Sequence, residues 1–175
     1  MLSLLFNIYF RCLAIYLRFF LKGKDVLILD IDNTIAFTLE SLISDKIISN
    51  ENRLATLNPK ENVIAYFENK YPKHSKIFIS ARSYRYYWVS YKWLKKNRLS
   101  FNLFNVILVP KAKDKLWFLN LFSKNSNVVY FDDLSYNHEN GQVLYYQQVI
   151  ENVNNIELIY YDYKDILEIE KHKLL

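Results

Sequence analysis

"DVLILDIDNTIAFT", residues 25–38, decides the fold. Val26 to Leu29 form an uninterrupted apolar run of strand length, the pattern of a strand buried on both faces. The run ends in Asp30 and Asp32, with Thr34 two residues further on. Side chains two apart on a strand share a face, so these three groups converge at the strand's carboxyl end. Two unpartnered acids held together resist ionisation. A chain that places them there needs something to offset their repulsion.

The rest of the chain supplies the setting. At 175 residues it has the length of one domain, and 51% of it is hydrophobic, enough for a real core. Gly is scarce, with two in the chain. The net charge of +5 suits an anionic substrate or an anionic membrane surface. The single Cys12 excludes an internal disulfide, and His74, His138 and His172 are scattered, so there is no Cys/His zinc pattern. A reducing, cytoplasmic setting fits.

Beyond Lys24, strand and helix patterns alternate. Strands are expected at 26–30, 77–80, 105–109, 127–131 and 156–161. Helices are expected from Pro59, capped by Asn58, to about 70, and at 84–97, 113–122 and 143–153. Such alternation predicts an α/β fold with a Rossmann-like, five-stranded, mainly parallel sheet flanked by helices. Residues 35–57 lack a strong period and read as an insert, large enough for a small lid.

Residues 1–22 are expected to form a separate amphipathic helix ahead of a catalytic domain at 23–175. They lack the early basic region and small-residue cleavage site of a signal peptide. Arg11 sits near the middle, where a spanning helix would bear a cost of about 2.5–3.5 kcal/mol. On a helical wheel Ser3, Asn7, Arg11, Arg18 and Lys22 form a narrow stripe, and the remaining positions are apolar. That pattern suits a helix lying in the surface of an anionic membrane, at its inner face. Packing on the protein's own domain, or on a partner subunit, is the competing reading.

Ligands of open α/β sheets bind beyond the carboxyl ends of the strands. Four strand ends deliver Asp30, Asp32 and Thr34; Ser80, Ala81 and Arg82; Lys111, Lys113 and Lys115; and Asp132, Asp133 and Asn137. Crowded carboxylates suit a hard cation such as Mg2+. Hydroxyls, an ammonium and helix amino-terminal N–H groups suit a phosphate.

At this point the sequence resembles the haloacid dehalogenase superfamily. "DIDNT" is similar to its DxDxT motif, "IFISAR" to its second motif, a lysine of "KAKDKLWFL" to its third, and "VVYFDDLSYN" to its acidic fourth. The resemblance covers about residues 25–137. It implies Asp30 as the nucleophile that takes up the phosphoryl group and Asp32 as general acid/base. It implies Mg2+ held by Asp30, Asp132, Asp133 and the backbone carbonyl of Asp32. Ser80, Lys115, Asn33, Thr34 and Ala81 would line the phosphate site. Lys115 is preferred over Lys111 and Lys113 because Leu119 follows it by four residues, the family's spacing.

Blander readings exist for several of these residues. Asp-Asn-Thr is good turn chemistry, Thr34 suits a turn-holding role, and Arg82 reads as an ordinary helix start. Asn137 suits either metal support or a local turn, while His138 and Glu139 read as loop residues. The aromatic, basic segment 84–97 shows no exposed stacking platforms, so nucleic acid is not an expected partner.

The second Asp of the motif favours phosphomonoester hydrolysis. The short spacings between motifs imply little or no cap, and an open site suits membrane-, lipid- or glycan-linked phosphates. Transfer to an acceptor other than water, and a non-catalytic binding role on the same fold, are the alternatives. Oligomeric state is left open.

Overall fold

The computed structural model describes residues 2–43, 49–100, 102–135 and 146–172. Its centre is strand β1 (Val26–Leu29), all four of whose residues are buried. On one side β1 pairs with β2 (Ser75–Ser80), which pairs with β3 (Val106–Leu108). On the other it pairs with β4 (Val128–Phe131), which pairs with β5 (Ile159–Tyr161). All four pairings are parallel, in the order β3-β2-β1-β4-β5. Strand direction reverses its progress after β3, so the switch point lies between β1 and β4, at the acids.

Strand β5, at one edge, is the least buried of the five and, like β3 at the other, is three residues long. Residues 156–158 stay outside β5, and Ile159 is exposed. Aromatic pairs fix its register instead. Tyr130 faces Tyr160, with ring centres 5.4 Å apart, and Phe131 faces Tyr161, with ring centres 4.2 Å apart and planes parallel within 1°. Cross-strand aromatic pairs of this kind stabilise a sheet by about 0.2–1 kcal/mol each.

Helix α4 (Glu61–Lys70) follows the insert and begins two residues later than Pro59 predicts. Pro59 is instead bridged to Ala36, and the Lys60 side chain turns inward. The insert contains two short helices, α2 (Thr38–Ile43) and α3 (Asn50–Ala55). Leu54 and Leu57 are buried, and Trp93 Nε1 donates to the Leu57 carbonyl at 2.9 Å. This part of the insert is therefore wall rather than flap. Helix α5 (Tyr87–Lys96) is preceded by a 3-10 turn at Tyr84–Tyr86, and α6 (Lys115–Ser123) by one at Ala112–Asp114. Helix α7 (Gln147–Asn154) covers the later part of the predicted 143–153 segment.

Two helical features differ from the sequence reading. A further helix, α8 (Tyr163–Lys171), follows β5 and packs on α4. Its start is a capping box, in which the Asp162 side chain accepts from the N–H groups of Lys164 and Asp165 while Asp165 accepts from the Asp162 N–H. Helix α1 (Leu2–Phe20) packs on α6 and buries Phe10, Leu13 and Ala14, with Leu21 just beyond it. Burying Phe10, Leu13 and Leu21 is worth about 5–9 kcal/mol in total, a large share of a domain's net stability. It is thus part of the core rather than a detachable leader. Among the described residues, no helix is long and apolar enough to cross a membrane.

Candidate active site

Parallel strands with short following loops bring three carboxylates together. Asp30 leaves β1, and Asp132 and Asp133 leave β4. Asp30 N–H donates to the Phe131 carbonyl at 3.0 Å, which continues the β1–β4 ladder into the loops. Oxygens of Asp30, Asp132 and Asp133 lie within 4.8 Å of one another, and all three residues are buried. Thr34 ties the two loops together, its Oγ1 accepting from Asp133 N–H at 3.2 Å. It therefore holds the turn.

Lys115, at the start of α6, enters this cluster from the side. Its Nζ donates to Asp30 Oδ1 at 2.9 Å and to Asp132 Oδ2 at 2.6 Å, and the residue is 3% exposed. Lys111 and Lys113 are exposed. Asp132 Oδ2 also accepts from the Tyr130 hydroxyl, and the Asp132 carbonyl accepts from Tyr160 at 3.1 Å. Tyr130 lies two residues before Asp132, so both side chains share a strand face. That spacing was a signal in the sequence for a partner the motif reading missed.

The charges are frustrated. Burial pushes the Asp30 carboxyl up to about 7; Lys115 pulls against that shift, and Asp132 and Asp32 add to it. Burial raises Asp133 well above the usual carboxylate range, with Asp132 and Asp30 as like-charged neighbours. Burial disfavours the Lys115 ammonium, but Asp132 and Asp30 more than compensate and hold it protonated. Three acids face one ammonium in a dry place, and burial favours protons on Asp30 and Asp133 that a bound cation would displace. The donor set is all oxygen and anionic, which fits a hard divalent cation such as Mg2+.

Asp32 points elsewhere. Arg82 grips it with both edges of its guanidinium, Nε to Oδ2 at 2.6 Å and Nη2 to Oδ1 at 2.7 Å. Thr38 Oγ1 donates to Oδ1 at 2.7 Å, and Ser80 Oγ approaches Oδ2 at 3.4 Å. Burial alone would raise this carboxyl, but the Arg82 charge and hydrogen bonds, with Thr38, bring it below the ordinary value. The Asp32 carboxylate is outside the three-acid group, so any role at a cation would fall to its backbone.

The floor of the site is made of strained and buried groups. Asn33 has φ 53°, a left-handed conformation that Asn tolerates better than most residues, and its Oδ1 caps Leu39 N–H at 2.9 Å. The Lys60 ammonium donates to the Asn33 carbonyl and lies 5.3 Å from the centre of the Phe37 ring. Ser80 is fully buried at the end of β2, while Ala81 is exposed at the rim. Asn137, His138 and Glu139 lie outside the described residues.

Sequence reasoning missed Thr38, Lys60, Tyr130 and Tyr160, and placed Arg82 at the rim without a role. The role of Arg82 had a signal, because it lies two residues beyond Ser80 and so shares its face. Thr38 and Lys60 sit in or beside the aperiodic insert, where no pattern points inward.

No protein-family profile matches the chain, and no curated protein sequence matches it. Two solved structures are similar to it. One is the class C acid phosphatase from Bacillus anthracis, 17% identical over 87% of this chain and 75% of that one, with a TM-score of 0.48. The other is the class C acid phosphatase from Bacillus anthracis with tungstate bound, 16% identical over 99% of this chain and 91% of that one, with a TM-score of 0.46. A likeness this distant says nothing of chemistry, which rests on the residues above.

Proposed function

We propose that the chain is a Mg2+-dependent phosphomonoester hydrolase of the haloacid dehalogenase type, with Asp30 as nucleophile. The observation that carries this reading is the buried group of Asp30, Asp132 and Asp133 with Lys115 between two of them, at the carboxyl ends of β1 and β4. Burying several charges is costly, and an apolar core would be as stable or more so. A catalytic role explains why the arrangement is kept.

Asp30, Asp132 and Asp133 would hold the cation. When bound, it supplies charge neutralisation and Lewis acidity toward a phosphoryl group. The chain's own residues do the rest. Lys115 keeps Asp30 oriented and lowers the repulsion an incoming phosphate would meet. An Asp30 carboxylate oxygen attacks phosphorus, the bond to the leaving oxygen breaks, and an aspartyl-phosphate results. Water then attacks that phosphorus, returning Asp30 and releasing phosphate. Asp32, held as a carboxylate, is suited to take the proton from that water. While Arg82 holds it, Asp32 has no proton to give, so the leaving oxygen takes its proton from solvent unless Arg82 first releases Asp32 and Asp32 is protonated.

The rim carries no large cap among the described residues, which suits phosphates on lipids, glycans or other bulky carriers. A non-catalytic binding role has one observation in its favour, the locked Asp32. Hydrolysis of an aryl phosphate with Mg2+, measured for wild type and Asp30→Asn, decides between the readings. The proposal expects turnover that needs Mg2+ and is lost in Asp30→Asn. Equal rates for both proteins exclude the aspartyl-phosphate route, and no turnover on any phosphomonoester favours the binding role.

A further inference from the structure

Helix α1 has a second face. The face containing Phe6, Phe10, Leu13, Ala14, Leu17 and Leu21 packs on the body. Asn7 and Arg11 lie at one seam, Asn7 donating to the Tyr84 hydroxyl at 3.4 Å and Arg11 stacking 4.9 Å from the Trp117 ring centre. Arg18 continues that seam, and the opposite side of the described helix is bare and apolar. Leu4, Leu5, Ile8, Tyr9, Ile15, Tyr16, Phe19 and Phe20 are between 43% and 76% exposed. At about 100° per residue they sweep about 160° of the helix with no charged residue among them. Trp88, at the start of α5, is 59% exposed and extends the patch across a groove shared with Leu5 and Tyr9.

A contiguous apolar surface of this kind marks an interaction site. Its surroundings identify the occupant. No Asp or Glu occurs before Asp25, nor from Asn69 to Lys113. On one side exposed cations accompany the patch, Arg11 on α1 and Lys22 and Lys24 just after it, ahead of the exposed Asp25. On the other it meets Lys92 and Lys95, which follow Trp88 by four and seven residues on the same helical stripe and are exposed. A two-fold contact with a second copy would set this basic border against itself. An anionic bilayer accepts both features: apolar and aromatic side chains enter the headgroup boundary, and the cations stay at the lipid phosphates.

We propose that the α1 face, with Trp88, docks on an anionic lipid bilayer. The basic residues border the contact rather than form its centre. On the opposite face of the same helix Phe6 and Phe10 pack against Tyr84, two residues beyond Arg82, so the docking helix lies against the segment that carries Arg82. The binding itself is independent of the chemistry proposed for Asp30.

Vesicle flotation of the full chain tests it, with phosphatidylcholine vesicles with and without about 30% phosphatidylserine. The expected result is flotation with anionic vesicles only, weakened by 0.5 M salt. Ile15→Glu/Phe19→Glu should abolish it while leaving the melting temperature and aryl phosphate hydrolysis unchanged. Lys92→Glu/Lys95→Glu should weaken partitioning by at least about 25-fold, about fivefold for each lost basic residue. Equal partition to neutral and anionic vesicles overturns the proposal. So does a protein that ignores vesicles but sediments as a dimer dissolved by Ile15→Glu/Phe19→Glu, which assigns the face to self-association. Flotation without hydrolysis would sink the proposed enzyme and leave the docking intact.

Discussion

Arg82 and Asp32 form a two-bond, fork-to-carboxylate pair in which the arginine side chain is 4% exposed and the aspartate 27%. The third guanidinium nitrogen, Nη1, donates to the buried Ser90 Oγ at 2.9 Å. The end of β2 is thereby joined to both the β1 loop and α5. Such a pair positions Asp32 more firmly than a lysine could, because the planar fork fixes direction as well as charge.

Arg82→Ala should destabilise the protein by about 3 kcal/mol, the low end for breaking a buried pair, since Asp32 keeps some contact with water. Arg82→Lys should cost less. The sign with pH follows from the lowered Asp32 value. The pair's contribution is complete above the ordinary carboxylate value of 3.8 and is lost as pH falls through the lower folded-state value. Urea unfolding of wild type and Arg82→Ala at pH 7 and near pH 3 measures this, and a gap that does not shrink in acid contradicts it.

Asp30 shows the opposite sign. Its folded value of about 7 lies above the ordinary 3.8, so without metal the folded state holds a proton that the unfolded chain has lost. Metal-free protein should lose stability as pH rises between those values. Mg2+, which needs the carboxylate, should raise the melting temperature more at pH 8 than at pH 5. Asp132→Ala should remove most of the pH 8 increment. Melts in EDTA and in Mg2+ decide the matter, and an increment independent of pH counts against the site.

Lys115→Met should leave Asp30 and Asp132 facing each other without their shared ammonium. The expected cost to metal-free protein is about 3–5 kcal/mol. Mg2+ should restore part of that stability, while aryl phosphate turnover stays well below wild type. A variant as stable in EDTA as the wild type would show that the ammonium does not hold the acids together.

Arg98 offers a prediction of gain. It adopts φ 58° just past Asn97, the C-cap of α5. Its N–H bonds the Lys95 carbonyl at 3.1 Å, and Leu99 N–H bonds the Leu94 carbonyl at 2.9 Å, a complete Schellman ending. Arginine bears the left-handed strain there that glycine would not, so Arg98→Gly should stabilise by about 1 kcal/mol. Asn33→Gly should give no such gain, because it also removes the Leu39 cap. Thermal melts of both variants make the comparison.

The strands of the sheet were legible because burial on both faces of β1 and β4 leaves unbroken apolar runs, and because acids at their ends have no reason to follow such runs except a site. Of the three lysines, the one preferred for its spacing to Leu119, Lys115, is the one that reaches Asp30 and Asp132. What stayed hidden depends on direction. Arg82 reads as the first residue of a helix until the strand's alternation is carried two residues past its end. In α1 nearly every position is apolar, so the pattern shows a helix without saying which side meets the protein. The α8 start was written in Asp162 and Asp165, but its helix is amphipathic on a short scale and follows the weakest strand.

Helix α1 also bears on the order in which the chain is made. Ser126 Oγ donates to the Leu21 carbonyl across a separation of 105 residues, and Asn7 meets Tyr84 across 77. At about 5–20 residues per second, a ribosome needs about 5–20 s to supply those partners. Through that interval α1, which is made before both partners, has its apolar faces bare. Chaperone capture, or early contact with a lipid surface, would shield it until its permanent neighbours are synthesised.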